Sequence, residues 1–211
     1  MQKAYIFCNN PNSYRDDSFI LDFDLSGIVI GSNGGANFLC KNGIIPDVLI
    51  GDCDSISPKY LKVLKKKSNV IKFPVDKDKS DTELAIEYCL QNGYNNITLI
   101  NAVDGRLYHS LTNIFLIEKF INRGLRFHFI NSNNEIYVVT NKLQIDAKIG
   151  TNISLISLTD FTLVKGTKAL KFPLNNEKLY RSSSRGISNI TTKEKFSIIV
   201  SSGILLVIKE R

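Results

Sequence analysis

Two short acidic stretches carry the strongest chemical signal in this 211-residue chain. Gly51-Asp52-Cys53-Asp54-Ser55 follows the apolar run Val48–Ile50, and Asp76-Lys77-Asp78-Lys79-Ser80-Asp81-Thr82-Glu83 follows Val70–Phe73. If the chain stays extended beyond Ile50, Asp52 and Asp54 point to one side with α-carbons about 6–7 Å apart. Converging carboxylates repel unless a cation lies between them. An all-oxygen donor set suits Mg2+, which takes its remaining ligands from water and substrate phosphates. The bland alternative is a pair of solvated acids ahead of a helix N-terminus. Asp81 either caps the helix it opens or supplies a third carboxylate. Asp76 and Asp78 read as a solvated charged loop, whereas Lys77 and Lys79 are within reach of phosphate.

Two further loops suit an anion. In Gly31-Ser-Asn-Gly-Gly-Ala-Asn37, Gly34 and Gly35 permit a tight turn and let backbone N–H groups approach phosphate. The loop matches neither a P-loop nor G-x-G-x-x-G, and alone it reads more readily as an ordinary turn. In Asn101-Ala-Val-Asp-Gly-Arg-Leu-Tyr-His109, Gly105 allows a turn and Arg106 offers a bidentate fork at a helix start. No zinc site is expected: Cys8, Cys40, Cys53 and Cys89 contain no C-x-x-C pair, and the only histidines are His109 and His128. The thiols read as buried free cysteines of a reducing compartment.

These loops need a scaffold that brings strand ends together, and the sequence supplies one. Ala4–Cys8, Ile28–Ile30, Val48–Ile50, Val70–Phe73, Ile97–Ile100 and Arg126–Ile130 are strand-like. Between them, helices are expected over Pro58–Lys67, from a capping box at Ser80-Asp-Thr-Glu83, and from about Tyr108 to Arg123 with Leu111, Ile114, Phe115 and Ile121 buried. This alternation predicts an α/β domain over residues 1–132, with a mostly parallel sheet flanked by helices. Ligands of such sheets bind at the carboxyl ends of the strands. From residue 133 to 211 the runs Ile136–Thr140, Ile153–Leu158, Phe161–Val164, Phe196–Val200 and Ile204–Ile208 predict a smaller all-β, sandwich-like domain. The polar stretch Lys171–Thr192 reads as a long loop.

The net charge of +7 is unevenly placed: residues 132–211 carry 12 basic and 6 acidic side chains, against 15 and 14 in residues 1–131. Without Trp or a recognised binding motif, basic charge alone supports only non-specific nucleic-acid contact, so no nucleic-acid partner is expected. The basic stretch Lys165–Lys195 is either a flank that attracts an anionic ligand or a solvated surface. No apolar run approaches the ~20 residues of a membrane span, and the amino-terminal residues are too polar for a signal peptide. A cytoplasmic protein without membrane attachment is expected.

In this order the stretches resemble the thiamine pyrophosphokinase family. The matching residues are Gly34-Gly35-Ala36-Asn37, Pro46-Asp47, Gly51-Asp52-Cys53-Asp54-Ser55, the run Asp76 to Ala85, Gly105-Arg106 with His109 and Asn113, and Arg185-Gly186-Ile187-Ser188-Asn189. The resemblance implies a homodimer with active sites between subunits, and a reaction in which ATP and thiamine give thiamine diphosphate and AMP. It implies that Asp52, Asp54 and Asp81 hold Mg2+ and act with Arg106 in catalysis. The nucleotide would be met by Asn33, Gly34, Gly35, Asn37, Asp78, Lys79, Gly105, His109 and Asn113, and thiamine by Ser188 and Asn189. The chain departs from the pattern at Asn33 and Tyr108, where the family usually has aspartate, and at Asp104, where it has glycine. Transfer to another small alcohol and a degenerate nucleotide-binding homologue are the competing readings.

Overall fold

A computed structural model describes residues 2–10, 24–103 and 105–211. Met1–Ser132 and Asn133–Arg211 are two compact units. In the first, the described elements are β1 (Gln2–Phe7), β2 (Ile28–Ser32), α1 (Gly35–Lys41), β3 (Val48–Gly51), α2 (Pro58–Lys67), β4 (Asn69–Lys72), α3 (Asp81–Gln91), β5 (Tyr94–Ile100), α4 (Leu107–Ile121) and β6 (Arg126–Ile130). The strands pair in the order β6-β5-β1-β2-β3-β4, every pairing parallel. Parallel strands covered on both faces must be apolar throughout, and Ala4–Phe7 and Val48–Gly51 are buried at every position. The chain runs outward from β1 to β4, then returns to place β5 on the other side of β1. The order therefore reverses between β1 and β5, where the connections leave in opposite directions and open a crevice at the carboxyl ends.

The helices differ from expectation in three places. Gly35–Lys41 is a helix, not a turn, and it packs Phe38 and Leu39 against Tyr5, Phe7 and Val29 of the sheet. In α4 the buried stripe is Asn113, Leu116, Ile117 and Phe120. Leu111 and Phe115 lie on the opposite side, 43% and 54% exposed, because the helix presents its 113/116/117/120 spacing to the unit's core. In α3, Ser80 Oγ accepts from the Glu83 N–H at 3.2 Å. The capping box is only half formed, since the Glu83 carboxylate turns instead to the Lys119 ammonium, a charged partner.

The second unit is all-β. It contains β7 (Asn134–Val139), β8 (Lys142–Asp146), β9 (Asn152–Ser157), β10 (Phe161–Lys168), β11 (Asn175–Tyr180), β12 (Asn189–Ile190), β13 (Lys195–Ser202) and β14 (Leu205–Glu210). Antiparallel pairings link them as β12-β9-β14-β7 and β11-β10-β13-β8. One core takes residues from both groups: Ile153, Leu155, Leu205 and Val207 from the first, Val164, Leu179, Phe196 and Ile198 from the second. The expected long loop Lys171–Thr192 in fact contains β11 and β12. With only Leu179 of β11 buried, the solvated face dominates its composition and hides the strand.

Candidate active site

The crevice of the first unit holds a cavity of about 240 Å3, walled by the loops after β1, β2, β3 and β5 and by the first turns of α3 and α4. Its acidic end is built from three separate loops. β3 stops at Gly51, which sits at φ +143°, and Cys53 is left-handed at φ 68°, so the expected strand-like alternation of Asp52 and Asp54 does not occur. A turn brings the two together instead: the Asp54 N–H donates to Asp52 Oδ1 at 3.1 Å. Ser80 does the capping of α3, which leaves the Asp81 carboxylate to point into the same place.

Asn33 stands at the centre. Its Nδ2 donates to Asp52 Oδ1 at 2.8 Å, Asp54 Oδ1 at 3.0 Å and Asp81 Oδ2 at 3.1 Å. An amide has two N–H hydrogens, so three carboxylates share them. Lys77 closes the other side, its Nζ 3.1 Å from Asp52 Oδ2 and 3.1 Å from Asp81 Oδ1. Burial alone pulls the Lys77 ammonium down, but its hydrogen bonds to Asp52 and Asp81 outweigh that and raise it above its usual value. The Asp54 carboxyl is held down to about 2 by the Asn33 amide first and by the Ser55 hydroxyl as well. Three carboxylates and one ammonium leave a local charge of about −2, the amount a divalent cation neutralises, and all donors are hard oxygens. As they stand, however, no three carboxylate, thiol or imidazole groups among the described residues surround a common cation position. The Asn33 amide nitrogen fills the centre on which they close.

The remaining wall is amide-rich and largely neutral. Asn10 and Asn101 are 2% and 3% exposed and line the cavity. Asn101 is left-handed at φ 58°, and its Oδ1 accepts no hydrogen bond among the described residues. Asn113 Nδ2 donates to the Ala102 carbonyl at 2.7 Å and so fixes the loop after β5 to α4. Gly105 belongs here because a Cβ would come within 3.1 Å of Asn10 Cγ. Arg106 Nη1 donates to Tyr108 Oη at 3.0 Å, and His109 packs its ring on Tyr108 with centroids 4.7 Å apart. Asp104 lies outside the described residues.

Other expected site residues serve the architecture. Gly34 and Gly35 do not line the cavity, and Asn33, not either glycine, is the left-handed residue of that loop, at φ 44°. The glycines permit close packing: a Cβ at Gly35 would lie 1.9 Å from the Phe7 carbonyl oxygen, and one at Gly34 2.5 Å from Asn9 Cγ. Asn37 ties α1 to the loop before α2, donating to the Ser55 carbonyl at 2.8 Å and accepting from the Ser57 N–H at 2.9 Å. It lines a neighbouring open hollow of about 480 Å3 with Asn9, Ser55, Lys41 and Lys59. Lys79 turns away to Glu87 at 2.8 Å, and Asp78 is exposed. Of the cysteines, Cys8 and Cys89 are buried; Cys40, in the last turn of α1, and Cys53, in the loop after β3, are only half-buried.

In the second unit, Asn189 is 2% exposed and its amide is spent on the backbone: Oδ1 accepts from Phe172 N–H at 3.0 Å, and Nδ2 donates to the Phe172 carbonyl at 2.7 Å. The clasp holds out the Phe172 ring, 50% exposed. Ser188, at φ 56°, is exposed. The arginines of the basic stretch are ion-paired, Arg181 with Asp160 and Arg185 with Glu177, each at 2.8 Å, which favours the solvated-surface reading of that charge.

Residues 23–129 match the family model described as thiamin pyrophosphokinase, catalytic domain. The chain is 27% identical to the thiamine pyrophosphokinase of Bacillus subtilis over 184 residues, which cover 85% of this chain and 86% of that protein. Its fold is similar to the crystal structure of thiamine pyrophosphokinase from Bacillus subtilis, with a TM-score of 0.86, 25% identity and 99% of each chain covered. The yeast thiamin pyrophosphokinase structure shares the fold at a TM-score of 0.78 and 17% identity, over 100% of this chain and 86% of that one.

Proposed function

The chain belongs to the thiamin pyrophosphokinase family, and from that premise we propose that it transfers the pyrophosphoryl group of ATP to the primary hydroxyl of thiamine. The hydroxyl oxygen forms a bond to the β-phosphorus while the bond from that phosphorus to the oxygen of AMP breaks, and the hydroxyl proton passes to solvent. The products are thiamine diphosphate and AMP. The observation that carries this reading is the convergence of Asp52 and Asp54, from the loop after β3, with Asp81, from the start of α3, upon one point in the strand-end cavity.

Phosphoryl chemistry of this kind asks the protein chiefly for positioning and charge neutralisation. Mg2+ held by Asp52, Asp54 and Asp81 would neutralise phosphate oxygens. Arg106, at the N-cap position of α4, offers a planar fork to the same anion. The amide wall of Asn10, Asn101 and Asn113 presents neutral donors and acceptors suited to the uncharged part of a nucleotide. For thiamine, Ser188 and the exposed Phe172 ring are the groups on offer in the second unit, with Asn189 holding the ring; an aromatic face suits a cationic heterocycle. A reducing, cytoplasmic location fits the four free cysteines. Among the described residues, no helix is long and apolar enough to cross a membrane.

The test is AMP release from ATP that depends strictly on both thiamine and Mg2+. AMP formation without thiamine, or none with it, overturns the assignment.

We further propose a homodimer. Leu107, Leu111 and Phe115 repeat every fourth residue on α4 and, with Tyr108, form an exposed apolar stripe, a feature typical of an interaction surface. Phe115→Glu is expected to convert a dimer into a folded monomer, read by light scattering after size exclusion; an unchanged mass would place the interface elsewhere.

A further inference from the structure

If a divalent cation belongs among Asp52, Asp54 and Asp81, something must keep three like charges together when it is absent. Lys77 bridges Asp52 and Asp81 from one side, and the Asn33 side chain joins all three, within 3.1 Å of one oxygen of each. The residue is 8% exposed, and its own Oδ1 is buried in the cavity wall without a hydrogen bond among the described residues. Asn33 lines the strand-end cavity, so its amide has open space into which to move off the centre. Turning over as it moves exchanges the N–H groups for the oxygen. The torsion that does this is broad and two-fold, and nitrogen and oxygen are nearly the same size.

We propose that Asn33 is a stand-in for the cation. In the cation-free protein its N–H groups hold the carboxylates at the centre of the site. On loading, the amide turns so that the N–H groups leave and Oδ1, now unpaired, faces the metal as a neutral ligand. An N–H cannot face a cation, whereas an asparagine carbonyl oxygen is an ordinary ligand for one. The buried acceptor that is wasted in one state is used in the other, which explains an otherwise costly orphan. Two consequences follow: the empty site is stable, and the cation must displace hydrogen bonds to enter, which weakens its binding.

The inference rests on the metal assignment above, and its test reads binding and stability as well as turnover. Asn33→Asp restores charge but loses the donor; Asn33→Gly loses the side chain at a φ of 44° that glycine accepts readily. In EDTA both variants are expected to melt below the wild type, Asn33→Asp by roughly 5 °C or more. Saturating Mg2+ should raise the melting temperature of Asn33→Asp further than that of the wild type. Its Mn2+ affinity, followed by electron paramagnetic resonance, should be tighter by about tenfold, which corresponds to about 1.4 kcal/mol. Equal melting temperatures in EDTA, or an Mg2+-induced rise in Asn33→Asp no larger than in the wild type, overturn the proposal. Thiamine diphosphate formation by the wild type is measured in parallel. Activity with indistinguishable variants removes this inference alone; the expected contrast without activity removes the thiamine assignment alone.

Discussion

Asp52→Ala is expected to lower kcat for thiamine diphosphate formation by at least about 10³-fold, with a protein that still folds. Asp52 ties the acidic end together: it accepts from Asn33, from the Asp54 N–H and from Lys77. Removing it takes away one proposed metal ligand and the link that turns Asp54 inward. It also frees Lys77 to sit on Asp81 alone, which lowers the local negative charge by one and brings an ammonium closer to the cation's place. Asp54→Ala should be damaging for a simpler reason, since a carboxyl held at about 2 is fully ionised wherever the protein works. AMP release at saturating thiamine measures the loss, and thermal unfolding verifies the fold. Activity within a few-fold of wild type would remove Asp52 from the metal site.

Gly35→Ala is expected to cost about 3 kcal/mol or more of stability, a fall of roughly 6–12 °C in Tm for a chain of this size. The added Cβ would stand 1.9 Å from the Phe7 carbonyl oxygen and 2.5 Å from its carbon. Both are backbone atoms of β1, the strand beside the reversal of the sheet, so no rotamer change relieves the clash. Either α1 leaves the sheet, exposing Phe38 and Leu39, or β1 shifts and moves the loop that carries Asn9 and Asn10. Gly43→Ala is the control: nothing lies within 4 Å of its Cβ position, and only its φ of +73° is strained, so about 1 kcal/mol is expected. Chemical denaturation of the two variants gives the comparison. A Gly35→Ala protein as stable as Gly43→Ala would show that α1 does not need its close approach.

The parts of the site that the sequence made legible are local ones. Asp52 with Asp54, and Asp81 at a helix start, carry their chemistry in a few neighbouring residues, and the strands that deliver them are continuous apolar runs. What was hidden depends on which strands adjoin. Asn9 and Asn10 matter because β5 returns beside β1, an adjacency that no local pattern encodes; two asparagines directly after a strand were the only signal. By sequence Lys77 is within reach of phosphate, but the fold places it between carboxylates 25 residues upstream and four residues downstream in the chain. The resemblance implies ligand contacts for Gly34, Gly35 and Asn189; in the structure the two glycines allow close packing against Asn9 and Phe7, and Asn189 clasps the Phe172 backbone. The misjudged face of α4 has a related cause: its exposed side is as apolar as its buried one, so periodicity alone could not choose between them.

The cavity wall also contains a nucleophile that has been silenced. Cys8 lines the crevice, accepts a hydrogen bond from the Thr82 hydroxyl at 3.6 Å, and is pushed by burial up to about 12. Burial keeps the sulfur in its unreactive thiol form at neutral pH. Electrophilic warheads aimed at the crevice therefore find little to react with there, and peroxide damage falls first on other thiols. A site full of carboxylate and amide oxygen keeps sulfur at its edge in a chemically inert form.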